Sequence, residues 1–286
     1  MTIWKLMRTL RTAIRTTTLA GGALALAAAV PASAQGKLEA RYEVTLAGLP
    51  IGTGSWMVDV NDTHYLAAAS GATTGLLRVF TGGQGTSAAR GTVNSGGIPL
   101  SSIYAATITT REKSDEVRLT INHGDVKDTR LEPPRDKDPE RIPIKPAHEH
   151  GILDPMTASL LRAPNAADPM APATCDRTLA IFDGRLRYDL KLAYKRVEQV
   201  KTGKGYAGPA LVCSVNFTPI AGYIPSRYAI KYIAKLKDME VWFAPITGTH
   251  VLVPIRAQGP TPIGPVVLQA TQFVSNVTSA RASSAK

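Results

Sequence analysis

Polar and apolar residues alternate with a period of two along most of this chain. The clearest stretch is Leu186-Arg187-Tyr188-Asp189-Leu190-Lys191-Leu192-Ala193-Tyr194, apolar at every even position and mostly polar at the odd ones. That pattern predicts a strand with one buried face. Ile181-Phe182 lead into it through Asp183-Gly184, a dipeptide that tolerates the positive φ angles of a tight hairpin turn. After a Gly-rich turn the alternation resumes over 211–217, so three antiparallel strands are expected in succession.

The same reading gives strands at 40–46, 55–60, 63–70, 86–93, 100–110 and 116–122 before this unit. It gives strands at 227–236, 239–246, 250–257 and 265–274 after it, with turn residues every eight to twelve positions. The run 75–80 is too short to assign to helix or strand. Five prolines and mixed charges over 131–150 mark a surface excursion or linker. One helix is expected at about 155–163: Asp154 suits the N-cap, Pro155 the first position, and Pro164 follows the end. The predicted fold is mostly β, an antiparallel up-and-down meander forming a curved sheet or partly open barrel, with that helix plugging or covering its open side. It forms a single β-rich domain over 35–274, followed by a flexible tail at 275–286.

Composition adds an address. Lys5, Arg8, Arg11 and Arg15 precede an apolar run at 19–30 and Pro31-Ala32-Ser33-Ala34, the layout of a secretory signal peptide cleaved after Ala34. A twelve-residue apolar run is shorter than the ~20 residues that span a bilayer. The expectation is an exported, periplasmic protein that does not span the membrane once the signal is removed. Removing the leader lowers the formal net charge from +11 to +7. The remaining basic residues are scattered rather than interleaved with aromatics, so no nucleic-acid partner is expected.

Two cysteines, Cys175 and Cys213, bracket the three-strand unit, and in an exported chain they predict a disulfide. If both stayed in a flat sheet they would stand on either side of the central strand, about 10 Å apart. That is too far for a bond. The chain at Cys175 is therefore expected to leave the sheet and fold back over it.

Several local motifs share one order along the chain: Tyr42-Glu43-Val44 with Gly48-Leu49-Pro50-Ile51-Gly52, Asp154-Pro155-Met156-Thr157-Ala158 with Cys175, and Phe182-Asp183-Gly184-Arg185 with Tyr188-Asp189-Leu190. Cys213, Pro219-Ile220-Ala221-Gly222, Val241-Trp242-Phe243 and Pro254-Ile255-Arg256 continue it. In these the chain resembles the exported bacterial family called domain of unknown function 3108, over most of 38–274. The resemblance implies an exported, mostly antiparallel β protein and supplies no catalytic residues.

No catalytic motif is found, and no cofactor is expected. His148-Glu149-His150 is the metal candidate, since in an extended chain both imidazoles point one way and Asp154 could join them; a solvated loop is the better explanation, and no metal site is expected. Gly203-Lys204-Gly205-Tyr206-Ala207-Gly208 fits a dinucleotide fingerprint in letters only, because Pro209 and a strand follow where a helix is needed. Asp183 and Asp189 are explained by a turn and by pairing with Arg185 and Arg187. Trp56, Tyr188, Tyr194, Phe217 and Trp242, with Leu190 and Phe243, lie on strand faces that pack a core or line a cavity. The leading expectation is binding of a lipid, another apolar or envelope-derived ligand, or an envelope-assembly partner, through Trp56, Tyr188, Tyr194, Phe217 and Trp242. The alternatives are a packed structural protein acting through the Pro-rich loop and a metal-dependent envelope hydrolase using the His148 region.

Overall fold

Hairpins following one another along the chain build most of a single sheet in the computed structural model, which describes residues 34–75, 78, 82–164 and 168–279. The first series comprises β1 (Ala34–Leu46), β2 (Leu49–Val60), β3 (His64–Thr73), β4 (Gln84–Val93), β5 (Pro99–Thr109), β6 (Ser114–Asn122) and β7 (Asp125–Glu132). The second comprises β9 (Arg177–Phe182), β10 (Arg187–Lys201), β12 (Ala207–Ala221), β13 (Met239–Pro245), β14 (Val251–Thr261) and β15 (Gly264–Ser279). Two short strands, β8 (Leu161–Arg162) and β11 (Lys204–Gly205), attach to β14 and β15. Helices among the described residues include α1 (Pro155–Ala158) and α2 (Tyr228–Ile233).

Strands β1 and β15, far apart in sequence, lie side by side, with Ala34 opposite Ser279 and Leu46 opposite Val266. The two series run outward from that pair, so the sheet order is β7-β6-β5-β4-β3-β2-β1-β15-β14-β13-β12-β10-β9. The sheet is mostly antiparallel and not closed; β7 and β9 are its two ends.

Alternation places one row of buried residues across six strands: Leu38, Val58, Ala67, Ala89, Tyr104 and Leu119 are successive cross-strand partners. This row belongs to the central core, which Trp242, Val253, Ile255 and Phe273 complete from the second series. A smaller cluster lies on the other face of β12. Ala210 and Val212 enter the central core, whereas Leu211, Cys213 and Val215 enter the second cluster with Leu192, Phe243 and Leu252. In β10 a bulge between Tyr194 and Arg196 changes which face the even positions serve. Leu190 and Leu192 pack in the second cluster, but Val200 packs against the central core.

The disulfide forms as the geometric argument requires. Cys175 follows a one-turn 3-10 segment, Pro172–Thr174, outside the sheet, and meets Cys213 of β12 with a Cα–Cα distance of 5.6 Å. The order β12-β10-β9 matches the expected three-strand unit. Its first turn takes four residues rather than two, because Phe182 pairs with Arg187 and Asp183 Oδ1 accepts from the amides of Arg185 (2.8 Å) and Leu186 (2.6 Å).

Three expectations are corrected. The helix at 155–163 is a single turn, Pro155–Ala158; Leu160 enters the central core and Leu161 the second cluster, so consecutive residues serve opposite sides, as in a strand. The strand expected at 227–236 is α2, because Tyr228, Tyr232 and Leu236 recur at i, i+4, a spacing that also satisfies a period of two. The expected tail begins too early: Ser275 to Ser279 continue β15 against β1. Strand β7 was unforeseen. The dipeptide His123-Gly124 makes it, both residues holding positive φ (50° and 84°) in a two-residue turn between Asn122 and Asp125. Residues 1–33 of the expected leader, most of the undecided run at 75–80 and the end of the tail at 280–286 lie outside the described residues.

Replacing both cysteines by serine is expected to lower the unfolding free energy by about 4 kcal/mol, from the chain entropy of a closed loop of this length. Urea unfolding of the oxidised protein and the Cys175→Ser, Cys213→Ser variant checks this; equal midpoints would show that the cross-link does not constrain the unfolded chain.

Candidate functional site

Three places are chemically distinctive: a buried carboxylate at α1, an apolar groove beside α2, and a basic crevice where the sheet ends meet. The first explains how the open sheet is sealed. Ile152 N donates to Gly124 O in the β6–β7 turn (2.9 Å), Leu153 N donates to Ala180 O (2.8 Å), and Phe182 N donates to Leu153 O (2.9 Å). The segment thus touches both the β7 hairpin and β9, and α1 enters the core directly after it.

Asp154, fully buried, caps α1. Its Oδ1 accepts from the amides of Met156 (2.9 Å) and Thr157 (3.0 Å), and its Oδ2 from the hydroxyls of Thr157 (2.5 Å) and Ser101. Tyr65 of β3 is hydrogen-bonded to the Thr157 hydroxyl, and Ser87 Oγ of β4 lies 3.1 Å from Met156 Sδ. Burial pushes the Asp154 carboxyl above its ordinary value of 3.8, against the opposing effect of its hydrogen bonds. Burial and the Asp154 charge likewise raise the Tyr65 phenol. Every oxygen of the carboxylate is engaged from within the protein, so this group fastens the plug.

The groove lies between α2 and the strands β12 to β15. Its volume is about 550 Å³, and Val44, Tyr228, Tyr232, Leu236, Val241 and Leu268 are among its walls. Tyr228 and Tyr232 stack at 5.8 Å between ring centroids. Glu240 is the only acid in its wall among the described residues, and Arg196 Nη1 (3.1 Å) and Lys195 Nζ (2.5 Å) hold its carboxylate. The Arg196 hydrogen bond, followed by that from Lys195, overcomes partial burial and lowers its pKa. A larger trough of about 820 Å³ is lined by Thr53, Ser55, Ser70, Gln84 and Thr86 and is far more polar than the groove. The groove is the better match to an apolar ligand.

The aromatic residues singled out from the sequence sit elsewhere. Trp56 and Trp242 are buried in the central core, the Trp242 indole donating to Glu198 Oε2 (3.1 Å) with Arg256 over its ring at 4.8 Å. Tyr188 and Phe217 meet at 5.4 Å, and Tyr194 is exposed. None of the five lines a cavity described here. His148 and His150 diverge as well: Pro146–Glu149 is a 3-10 turn, the His148 ring accepts from Lys145 N (3.1 Å), and His150 Nδ1 lies 3.0 Å from Asp125 Oδ1. Asp154 belongs to neither partnership. Asp189 pairs with Arg187 at 2.6 Å. The Gly203–Gly208 stretch contributes β11, which pairs with Gln272 and Phe273 of β15. The groove's tyrosines were missed because their segment was read as strand; the i, i+4 recurrence after Pro225-Ser226 was the available signal.

A family model described as Protein of unknown function (DUF3108) matches residues 41–271. Among solved structures, a beta-barrel-like protein of domain of unknown function DUF1849 from Brucella abortus is similar over 86% of this chain and 98% of its own, at 6% identity and a TM-score of 0.46. No curated protein matches the chain.

Because Asp154 has a raised pKa when folded, the folded state binds more protons than the unfolded one just above pH 3.8. Its contribution is therefore most favourable below that pH and declines as pH rises through the folded-state value. Asp154→Asn keeps a good cap without the buried charge, so its stability relative to wild type should improve from pH 4 to pH 7; Asp154→Ala, which loses the cap as well, should cost about 2–4 kcal/mol at pH 4 and improve relative to wild type by the same amount on going to pH 7. Thermal melts at the two pH values check both; a constant Asp-to-Asn difference would contradict the assignment.

Proposed function

The chain belongs to the family described as Protein of unknown function (DUF3108), and from that premise we propose that it is an exported, periplasmic protein that binds an apolar or envelope-derived ligand in the groove beside α2. The groove carries this reading. Its volume of about 550 Å³ lies within the usual range of small-molecule sites, and aliphatic and aromatic side chains from a helix and five strands converge on it. An acyl chain or similar hydrocarbon is the matching chemistry: the sole acid in the wall is neutralised by two cations, and the stacked tyrosines present one flank. Tyr228 is 68% exposed, an arrangement that favours covering by a ligand over leaving the ring in water.

The leader motif at 5–34 supports export, and the disulfide suits an oxidising compartment. Contact with a partner through the Pro-rich segment has less support, because Arg135 and Arg141 tie that segment to Gly184 O (2.5 Å) and Gly222 O (2.6 Å).

A hydrophobic fluorophore such as N-phenyl-1-naphthylamine should brighten on mixing with the protein, and a fatty acid should displace it. Tyr232→Arg should weaken the probe about tenfold or more, equivalent to 1.4 kcal/mol, while leaving the melting temperature nearly unchanged. A probe that stays dark, or that binds the variant as well as wild type, would refute the groove as the site.

A further inference from the structure

The seam between the two ends of the sheet holds a second cavity, of about 530 Å³, and its walls are basic. Lys113, Arg135, Arg141, Arg185 and Arg227 face three carboxylates, Asp115, Asp136 and Asp183. Backbone geometry brings them together. Gly184 has φ of +91°, and a Cβ there would lie 2.5 Å from Val117 Cγ1, so the β9–β10 turn can press against β6 only with glycine at this position. Arg135 Nη2 then donates to Gly184 O, Arg185 Nη2 to Pro133 O (3.0 Å), and Arg141 Nη1 to Gly222 O (2.6 Å).

Those bonds hold the seam and leave donors over. The Nε atoms of Arg135, Arg141 and Arg185 are buried with no hydrogen-bond partner among the described residues. The acids do not absorb this surplus. Asp183 is occupied by the amides of its own turn, Asp136 by Arg141, and Asp115 by Lys113 at 3.0 Å and Arg185 at 3.4 Å. Arg227 is exposed at the rim, immediately before α2. Buried guanidinium donors are costly to leave unpaired, and their fork geometry fits an anion with several oxygens.

We propose that this crevice binds a phosphate group, carried on a molecule whose apolar part lies against Tyr104, Ile108 and Val117. Three guanidinium groups and a rim arginine match a tetrahedral oxyanion better than a planar carboxylate, which two would satisfy. Burial, and then the neighbouring charges of Arg141 and Arg185, lower the Arg135 pKa, and a bound anion would relieve that crowding. The site is separate from the apolar groove and does not rest on it. Arg227 in the crevice and Tyr228 in the groove are nevertheless consecutive residues, so one phosphorylated amphiphile can approach both.

The test is a heteronuclear NMR titration of the full exported chain with inorganic phosphate and, separately, with n-dodecyl phosphate, using dodecyl maltoside as the uncharged control. Both phosphates should shift the Arg side-chain resonances of the crevice, and added salt should weaken them. Arg227→Gln, at a residue whose side chain makes no hydrogen bond or ion pair among the described residues, should weaken binding about threefold or more. Arg135→Gln, which removes a buried donor set, should weaken it about tenfold or more. Dodecyl phosphate binding at least tenfold more tightly than phosphate would support a lipid-type headgroup with its apolar part in the crevice; equal affinities would overturn the apolar part and leave a site for free phosphate. Absence of crevice shifts with either probe at millimolar concentration, or shifts unaltered in Arg227→Gln, would overturn the proposal. Because the groove is read with an uncharged fluorophore, either site can fail without the other.

Discussion

The pairing of β1 with β15 is the constraint on which the rest of this structure depends. Every other long neighbouring pair in the sheet is a hairpin or a near neighbour along the chain, so each series of strands can assemble locally. Only the β1–β15 ladder, from Ala34 opposite Ser279 to Leu46 opposite Val266, joins the series into one sheet. Without it, the central core would be divided, because Leu38, Trp56 and Tyr104 come from one series and Trp242, Ile255 and Phe273 from the other. Closing so long a loop costs chain entropy, though the cost grows only with the logarithm of length. The shared core and the ladder offset it together.

The opposite boundary is managed differently. A fully hydrogen-bonded barrel has no free edges, but here β7 and β9 are ends. Backbone hydrogen bonds made by Ile152 and Leu153, the Asp154-capped turn and arginines reaching backbone carbonyls cover them. The central pair is thus one long ladder with a single irregularity at Arg41/Tyr42, while the seam is held by scattered polar contacts and is well supplied with donors. That contrast explains why the basic crevice lies where it does.

Much of the architecture was legible because its signals are short-range. Alternation located most strands, turn residues separated them, and strand spacing alone required Cys175 to leave the sheet. The failures have equally specific causes. Tyr228, Tyr232 and Leu236 fit helix and strand periods at once, and only packing beside β12 to β15 selects the helix. Leu160 and Leu161 fall within the helix expected at 155–163, but the sheet supplies two different clusters for them. The candidate aromatics were chosen for being large and on strand faces, and most of such residues fill cores, as Trp56 and Trp242 do. Groove and crevice both depend on chain crossings that no local pattern announces.

Native-state hydrogen exchange on the protein tests the role of the central ladder most directly. If β1–β15 unites the sheet, the ladder amides of Leu38, Ala40, Ala270 and Phe273 should exchange only through global unfolding, with the same protection and denaturant dependence as Val58 in one series and Val253 in the other. If those ladder amides exchange at a lower free energy while either series stays protected, the two series are separate cooperative units and the account is wrong.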